Sequence, residues 1–300
     1  MDYATGLSSA SACNGDNAVA SKYVVRLPAA QWRYWMDFLD PKQSLPGARS
    51  GVAPGVPNLI DAVSVVVPAH NEAQNVAPLV EELAAALANL GRFEVVYVDD
   101  GSADATFEEI KRLARERPWL RAVRHADNCG QSTAIRSGVK VCRYDWIVTI
   151  DGDGQNVPAD IAFLLAAAAR HPAPERLQLV AGQRVRRADH WLRRLSSRIA
   201  NAARAWLLGD RTPDTGCGLK LFRREAMLEL PYFDHMHRFF PALVRRQGGE
   251  VVLVEVNHRP RRHGRSHYGI GNRLWVGIVD LLGVLWLKRR CRQAKIVDGW

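Results

Sequence analysis

The stretch AVSVVVPAHNEAQNVAPLVEELAAALANLGRFEVVYVDDGS, residues 62–102, reads as strand, helix, strand. Val63 to Val67 is a valine run broken only by Ser64, the pattern of a strand buried on both faces. Val76, Leu79, Val80, Leu83, Leu87 and Leu90 then fall on one face at helical spacing, and Gly91 is the expected stop. Phe93 to Val98 is the second strand. Ser102 is positioned to cap a helix running to about Arg117, before Pro118, and Asp104 adds negative charge at its start.

The alternation continues outward. Strands are predicted at Leu120–Val123, Trp146–Ile150 and Leu177–Ala181, with helices at Gln131–Cys142 and Ile161–Arg170. Such a β-α-β-α series predicts an α/β fold, a mostly parallel sheet flanked by helices. Ligands on these sheets bind at the carboxyl ends of the strands. Beyond Ala181 the pattern changes. Trp191, Leu192, Leu195, Ile199, Ala203, Trp206 and Leu207 form an apolar helical stripe decorated by Arg193, Arg194, Arg198 and Arg204. Strands are expected at Gly218–Phe222 and Val251–Val256, then an apolar, amphipathic C-terminal helix over Asn272–Arg290. Residues 1–61 differ in composition, with an aromatic cluster (Trp32, Tyr34, Trp35, Phe38) and a proline-rich linker, and read as a partly disordered extension. The chain thus divides into that extension, a main domain over 62–235 and a C-terminal segment over 236–300.

Composition narrows the class. Hydrophobic residues at 47% and charged residues at 24% suit a packed core and argue against a disordered chain. A net charge of +10 favours anionic partners such as lipid headgroups or phosphorylated substrates. No nucleic-acid module accompanies it. Five cysteines without a C-x-x-C pair argue against a disulfide framework or zinc finger and for a reducing setting. No apolar run behind a basic start marks a signal peptide. No stretch reaches the ~18 apolar residues of a spanning helix. The nearest candidate, Leu274–Leu287, is short and interrupted by Asp280.

Acidic groups fall where such a sheet displays its ligands. Asn71 and Glu72 follow the first strand, Asp99 and Asp100 end the second, and Asp151 and Asp153 follow the fourth in D-G-D-G-Q. Two carboxylates one residue apart on a turn suit Mg²⁺ or Mn²⁺, hard cations that complete their shells with phosphate oxygens and water. Gln155 adds an amide oxygen within reach, and Gly152 and Gly154 open the backbone to phosphate. One acid of the Asp99–Asp100 pair is suited to accept hydrogen bonds from a ribose or base edge.

Five motifs together resemble family-2 glycosyltransferases of the GT-A fold: P-A-H-N-E at 68–72, V-D-D-G-S at 98–102, N-C-G-Q at 128–131, D-G-D-G-Q at 151–155 and D-T-G-C-G-L-K-L-F at 214–222. Their order matches across residues 62 to about 265. The D-G-D-G-Q turn, the D-T-G segment at 214–216 and the late R-H-G-R-S-H-Y at 262–268 make the chain more narrowly similar to the dolichol-phosphate mannose synthase group, the polyprenyl-phosphate glycosyltransferases. The resemblance implies a metal-dependent, inverting transfer of a sugar from a nucleotide-sugar, GDP-mannose or a UDP-sugar, to undecaprenyl or dolichyl phosphate. It places Pro68, Ala69, Asn71, Glu72, Asp99 or Asp100, and Gln131 around the donor. Asp151, Asp153 and Gln155 would bind metal and diphosphate, and Arg198, Arg262 and Arg265 would contact phosphates. Asp214 would orient acceptor or sugar. A transferase acting on a polysaccharide or other non-lipid acceptor, or a non-catalytic nucleotide-sugar-binding protein, uses the same motifs.

A lipid acceptor directs attention to the terminal helix. Leu274, Trp275, Ile278, Leu281, Leu282, Leu285 and Trp286 make a broad apolar face ahead of Lys288, Arg289, Arg290 and Arg292. Such a helix lies in a membrane interface, covers the sheet, or docks on an integral membrane partner. The expected location is cytoplasmic, peripheral on the inner face of the cytoplasmic membrane.

Overall fold

The computed structural model describes residues 60–184, 204, 207–210, 212–261 and 271–292, with backbone alone at 271–275. Its elements in chain order begin with β1 (Ala62–Ala69), α1 (Ala73–Leu87), β2 (Arg92–Asp99), α2 (Thr106–Ala114), β3 (Leu120–Arg124), α3 (Gln131–Val141), β4 (Trp146–Thr149) and α4 (Ile161–Ala169). They continue with β5 (Leu177–Arg184), β6 (Lys220–Arg223), α5 (Arg224–Glu229), α6 (Phe240–Arg246), β7 (Glu250–Val256) and α7 (Gly271–Arg290). The strands form one seven-stranded sheet in the order β3-β2-β1-β4-β6-β5-β7. Only β6 runs antiparallel to its neighbours β4 and β5. β7, from the C-terminal segment, pairs in parallel with β5 and so belongs to this sheet.

The valines of β1 explain the layers. Val63, Val65 and Val67 point to one face and pack with Val76, Leu79 and Leu83 of α1 and with Leu164 of α4. Val66 points to the other and packs with Ala134, Ile135 and Val139 of α3, Leu243 of α6 and Val284 of α7. Alternation along a strand sends neighbours to opposite faces, so a continuous apolar run requires cover on both sides.

Two terminal signals act differently from their sequence reading. α1 ends at Leu87, short of Gly91, and the residue after it stays in the right-handed helical region. Ser102 does not cap α2, which starts only at Thr106. Its hydroxyl instead accepts the Asn71 N–H at 2.9 Å. The acceptor at that helix start is Asp104, whose Oδ1 takes the Thr106 N–H at 3.0 Å. Arg204 also departs from expectation. It is buried, and it bonds Asp210 and the Thr212 carbonyl instead of decorating a surface.

One polar cluster is sealed inside the sheet. Glu94 on β2 accepts from Ser64 Oγ at 2.7 Å, from Arg121 Nη1 at 2.8 Å and from the Arg143 N–H at 2.6 Å. Burial alone would raise its pKa, but these hydrogen bonds outweigh burial and hold the carboxyl below its ordinary value.

α7 lies across the second core. Leu281, Leu285 and Leu287 pack against that core around the buried Val284. Its other side leaves Val279, Leu282 and Trp286 exposed, at 55%, 59% and 59%. The apolar face read from the sequence is therefore split between core and solvent. Arg246 Nε donates to the Leu287 carbonyl at 2.9 Å, and Lys288 turns inward to the Leu208 carbonyl. Among the described residues no helix is long and apolar enough to cross a membrane.

Gly138 in α3 tests the packing of helix on sheet. A Cβ there would meet Val66 Cγ1 at 2.5 Å and Val98 Cγ2 at 3.1 Å. Replacing a helical glycine by alanine gains about 1 kcal/mol in propensity. Overpacking costs about 1–3 kcal/mol. With the clash set against a central strand, the steric cost wins. Gly138→Ala is expected to lower the unfolding midpoint in denaturant, and a raised midpoint would contradict the packing.

Candidate active site

The register of the parallel strands assembles the site. Ala69 pairs with Asp99, so the turns after β1 and β2 leave the sheet side by side. Asp100 N–H donates to the Ala69 carbonyl at 2.8 Å, and His70 Nδ1 to the Asp100 carbonyl at 2.8 Å. The β4 turn joins them through Gly152, where a Cβ would stand 2.8 Å from the Pro68 carbonyl. The three turns open onto one cleft of about 550 Å³, and Pro68, Ala69, Glu72, Asp100, Asp151 and Asp153 line it.

Each carboxylate is held differently. Asp100 Oδ1 takes the Cys129 N–H at 3.0 Å and Oδ2 the Gly130 N–H at 2.8 Å. Asp99 does not line the cleft; it is fully buried, and its Oδ2 faces Arg124 Nε at 3.2 Å. Of the two acids in that motif, Asp100 is the one the fold presents. Glu72 Oε2 accepts from Asn75 Nδ2 at 2.6 Å. Asn71 sits at φ 55 and braces the turns, its Oδ1 accepting the Ala103 N–H at 2.8 Å.

Asp151 and Asp153 share the far wall. Gln131 Nε2, at the start of α3, donates to Asp151 Oδ1 at 2.7 Å. Burial and the neighbouring Asp153 carboxylate push Asp151 up to about 6, against the opposing pull of Lys220, Arg184 and the Gln131 bond. Gly218 makes room for this carboxylate, since a Cβ there would lie 2.2 Å from Asp151 Cγ. Asp153 Oδ1 accepts the Gln155 N–H at 3.0 Å, which shapes the turn. The Gln155 side chain is not among those lining the cleft. Two carboxylates on one turn, the buried Asp151 raised by its neighbour, form an oxygen set that fits a hard divalent cation.

The sequence reading missed Arg261. Its Nη2 lies 3.0 Å from Asp153 Oδ2 and 3.4 Å from Glu72 Oε1, bridging two of the acidic turns. The segment after β7 is clipped into position for this. Arg259 N–H donates to the Gln155 carbonyl at 3.0 Å, while its guanidinium grips Glu82 of α1 through two bonds of 3.1 and 2.6 Å. The run of arginines at 259, 261 and 262 was visible in sequence, but which one faced the acids depended on this clip. Arg198, Arg262 and Arg265 lie outside the described residues.

Asp214 does not line the cleft. Arg184 holds it from Nε at 2.7 Å and Nη2 at 2.8 Å, a bidentate grip that suits a fixed positioning group and not a proton acceptor. Behind it Lys220 is buried, which lowers its pKa against the pull of Cys217, Asp151 and Asp214, and it donates to the Cys217 carbonyl. Cys217 is itself packed in the core.

The remaining wall comes from the turn before α6, whose His235 and His237 read in the sequence as loop histidines, with His237 and Arg238 as candidates for the acceptor site. Asp234, His235 and His237 line the cleft. His237 Nδ1 lies 2.8 Å from Ser132 Oγ, and burial lowers its pKa well below the ordinary value. His235, at the left-handed φ of 61, pairs with Asp280 of α7 at 3.3 Å. That contact accounts for the lone acid within an otherwise apolar helix.

Comparison with known proteins agrees with this architecture. Residues 64–230 match the model of the family described as glycosyl transferase family 2, and the chain belongs to that family. It is similar to dodecaprenyl-phosphate galacturonate synthase of Rhizobium johnstonii, with 38% identity over 76% of this chain and 67% of that protein. It is also similar to undecaprenyl-phosphate 4-deoxy-4-formamido-L-arabinose transferases. The one from Edwardsiella ictaluri is 34% identical over 70% of this chain and 64% of its own length. The chain thus spans a little under two thirds of the transferase's length. Among solved structures, mannosyl-3-phosphoglycerate synthase of Rubrobacter xylanophilus shares the fold with a TM-score of 0.61 at 18% identity, covering 79% of this chain and 77% of that one. Glucosyl-3-phosphoglycerate synthase of Mycobacterium tuberculosis, solved with Mn²⁺ and UDP, gives 0.57 at 18% identity, covering 78% and 82%. The sheet is the GT-A fold anticipated from the motifs.

Asp151 carries a stability consequence. An unfolded aspartate titrates near ~3.9, below the folded value. The folded state therefore binds the proton more tightly, and stability is lost as pH rises from the unfolded to the folded pKa. Asp151→Asn is expected to melt higher than wild type at pH 7.5, with the difference shrinking as pH falls toward the unfolded pKa. A variant that melts lower at neutral pH would show that Asp151 is held by its partners and not strained by burial.

Proposed function

We propose that this chain transfers a sugar, with inversion, from a nucleotide-sugar to a polyprenyl phosphate. The observation that carries the reading is the convergence of Glu72, Asp100, Asp151 and Asp153 from three strand ends on one cleft. The named activities of the relatives support the acceptor class.

Pro68, Ala69, Glu72 and Asp100 line the part of the cleft suited to the nucleoside. Asp100 would meet the base or ribose with its position fixed by two backbone N–H groups. Asp151 and Asp153 would hold Mg²⁺ or Mn²⁺, which when bound neutralises the diphosphate as it leaves. Arg261 adds a cationic fork at the same place, and a guanidinium grips phosphate oxygens in two positions. A polyprenyl phosphate oxygen is already ionised near neutral pH, so no strong general base is required. Positioning and electrostatics then supply most of the acceleration. Asp214, held by Arg184, would keep the wall beneath Asp151 in place and does not take a proton.

The exposed side of α7 suits a lipid substrate. Val279, Leu282 and Trp286 face outward, followed by the exposed Arg289 and Arg290. A helix with this face sits at headgroup level on anionic lipid. The protein would then work as a peripheral enzyme, on the inner leaflet where cytoplasmic nucleotide-sugars are available.

Incubating the full chain with UDP- or GDP-sugars, undecaprenyl or dolichyl phosphate and Mn²⁺ or Mg²⁺ should release nucleoside diphosphate and form solvent-extractable lipid-linked sugar. Asp153→Ala should cut this turnover by about 10²-fold or more while leaving the melting curve cooperative. Sugar on a water-soluble product, with none extractable, would replace the lipid acceptor by a polysaccharide or other non-lipid one. Leu282→Glu should weaken co-sedimentation with phosphatidylglycerol vesicles without altering thermal stability. Unchanged sedimentation would remove α7 from the membrane contact.

A further inference from the structure

We infer that Asp100, His125 and Cys129 form a separate site for a thiophilic divalent ion such as Zn²⁺, and that its occupation excludes the donor nucleoside. The second clause rests on the nucleoside position proposed above; the first does not.

The three side chains offer one ligand atom each, all within 4.8 Å of one another. Their chemistry differs from that of the Asp151–Asp153 turn, which presents oxygen alone. A carboxylate, an imidazole and a thiolate select zinc-like ions over Mg²⁺ or Mn²⁺. Zinc sits about 2.0–2.1 Å from nitrogen and about 2.3 Å from sulfur, so on binding Nδ1 and Oδ1 part and the thiolate closes in.

Much of the site is already built. His125 Nδ1 lies 2.6 Å from Asp100 Oδ1, a hydrogen bond that an ion taken up between the two would replace. His125 Nε2 lies 2.9 Å from Ser137 Oγ. With a metal on Nδ1, the Nε2–H donates to that hydroxyl, which fixes the ring as outer partners of metal-bound histidines do. The Cys129 backbone N–H holds Asp100 Oδ1 at 3.0 Å, so its exposed thiol starts beside the carboxylate. Binding releases the Sγ proton to solvent and leaves the one imidazole proton on Nε2, so that a neutral imidazole, a thiolate and a carboxylate hold the ion, with a fourth position for water. Asp100 and Cys129 both line the cleft, so the ion and its water take space there.

Co²⁺ reports the site directly, because cobalt bound to thiolate gives a near-ultraviolet charge-transfer band that oxygen ligands do not. Titrating Co²⁺ into the full chain with excess Mg²⁺ should produce the band in wild type and none in Cys129→Ser. Ser137→Ala should retain it with about 10-fold weaker affinity. No band in wild type, or a band surviving in Cys129→Ser, overturns the site. Calorimetry then tests exclusion: Zn²⁺ should weaken binding of UDP or GDP with Mg²⁺ at least tenfold in wild type and not in Cys129→Ser. Equal nucleotide affinity with and without Zn²⁺ overturns exclusion. The cobalt signal needs no turnover, so its failure is distinct from failure of the transferase assay.

Discussion

Everything at the cleft depends on the lateral alignment of β1, β2 and β4. Parallel pairing of Ala69 with Asp99 sets two turns level, and the Asp100 N–H to the Ala69 carbonyl locks them there. β4 pairs with β1 from Ser64 to Val66, which sets where its own turn emerges. A slip of one residue in any of these pairings would send the valines of β1 to the wrong layers and carry a carboxylate away from the others. Core and site are therefore specified by the same hydrogen bonds.

Bringing four acids together has an electrostatic cost, and the fold answers it unevenly. Asp100 is fully compensated by backbone donors, Glu72 and Asp153 share Arg261, and Asp151 is left with a raised pKa. The least compensated group sits on the turn with the strongest metal-like donor set. A raised carboxylate pKa in a cleft is the kind of perturbation that concentrates at functional sites.

The layered α/β fold was legible in sequence because the apolar periods of β1, α1 and β2 are long and clean. The acidic turns were legible because they follow strands whose direction the alternation already implied. Choices between neighbours were not. Asp99 against Asp100 depends on which way one residue of a turn faces, and no periodic pattern encodes that. Ser102 was misassigned because a hydroxyl ahead of a helix has two acceptable partners; the Asn71 N–H, 31 residues earlier, took it. The contacts that hold the histidine wall were not legible, because Ser132 and Asp280 lie far from it along the chain. Asp214, which the resemblance implies orients acceptor or sugar, has both oxygens gripped by Arg184 of β5, a contact the motif does not encode.

The pairing of His235 with Asp280 gives α7 a second role. One flank of that helix is apolar and open to the outside, yet its single acid reaches the lining of the cleft. One helix thus carries both an outward apolar flank and a carboxylate that braces a residue of the cleft wall. Any tilt or rotation imposed on α7 from outside is delivered to the imidazole at the chamber wall, with no intervening loop to absorb it.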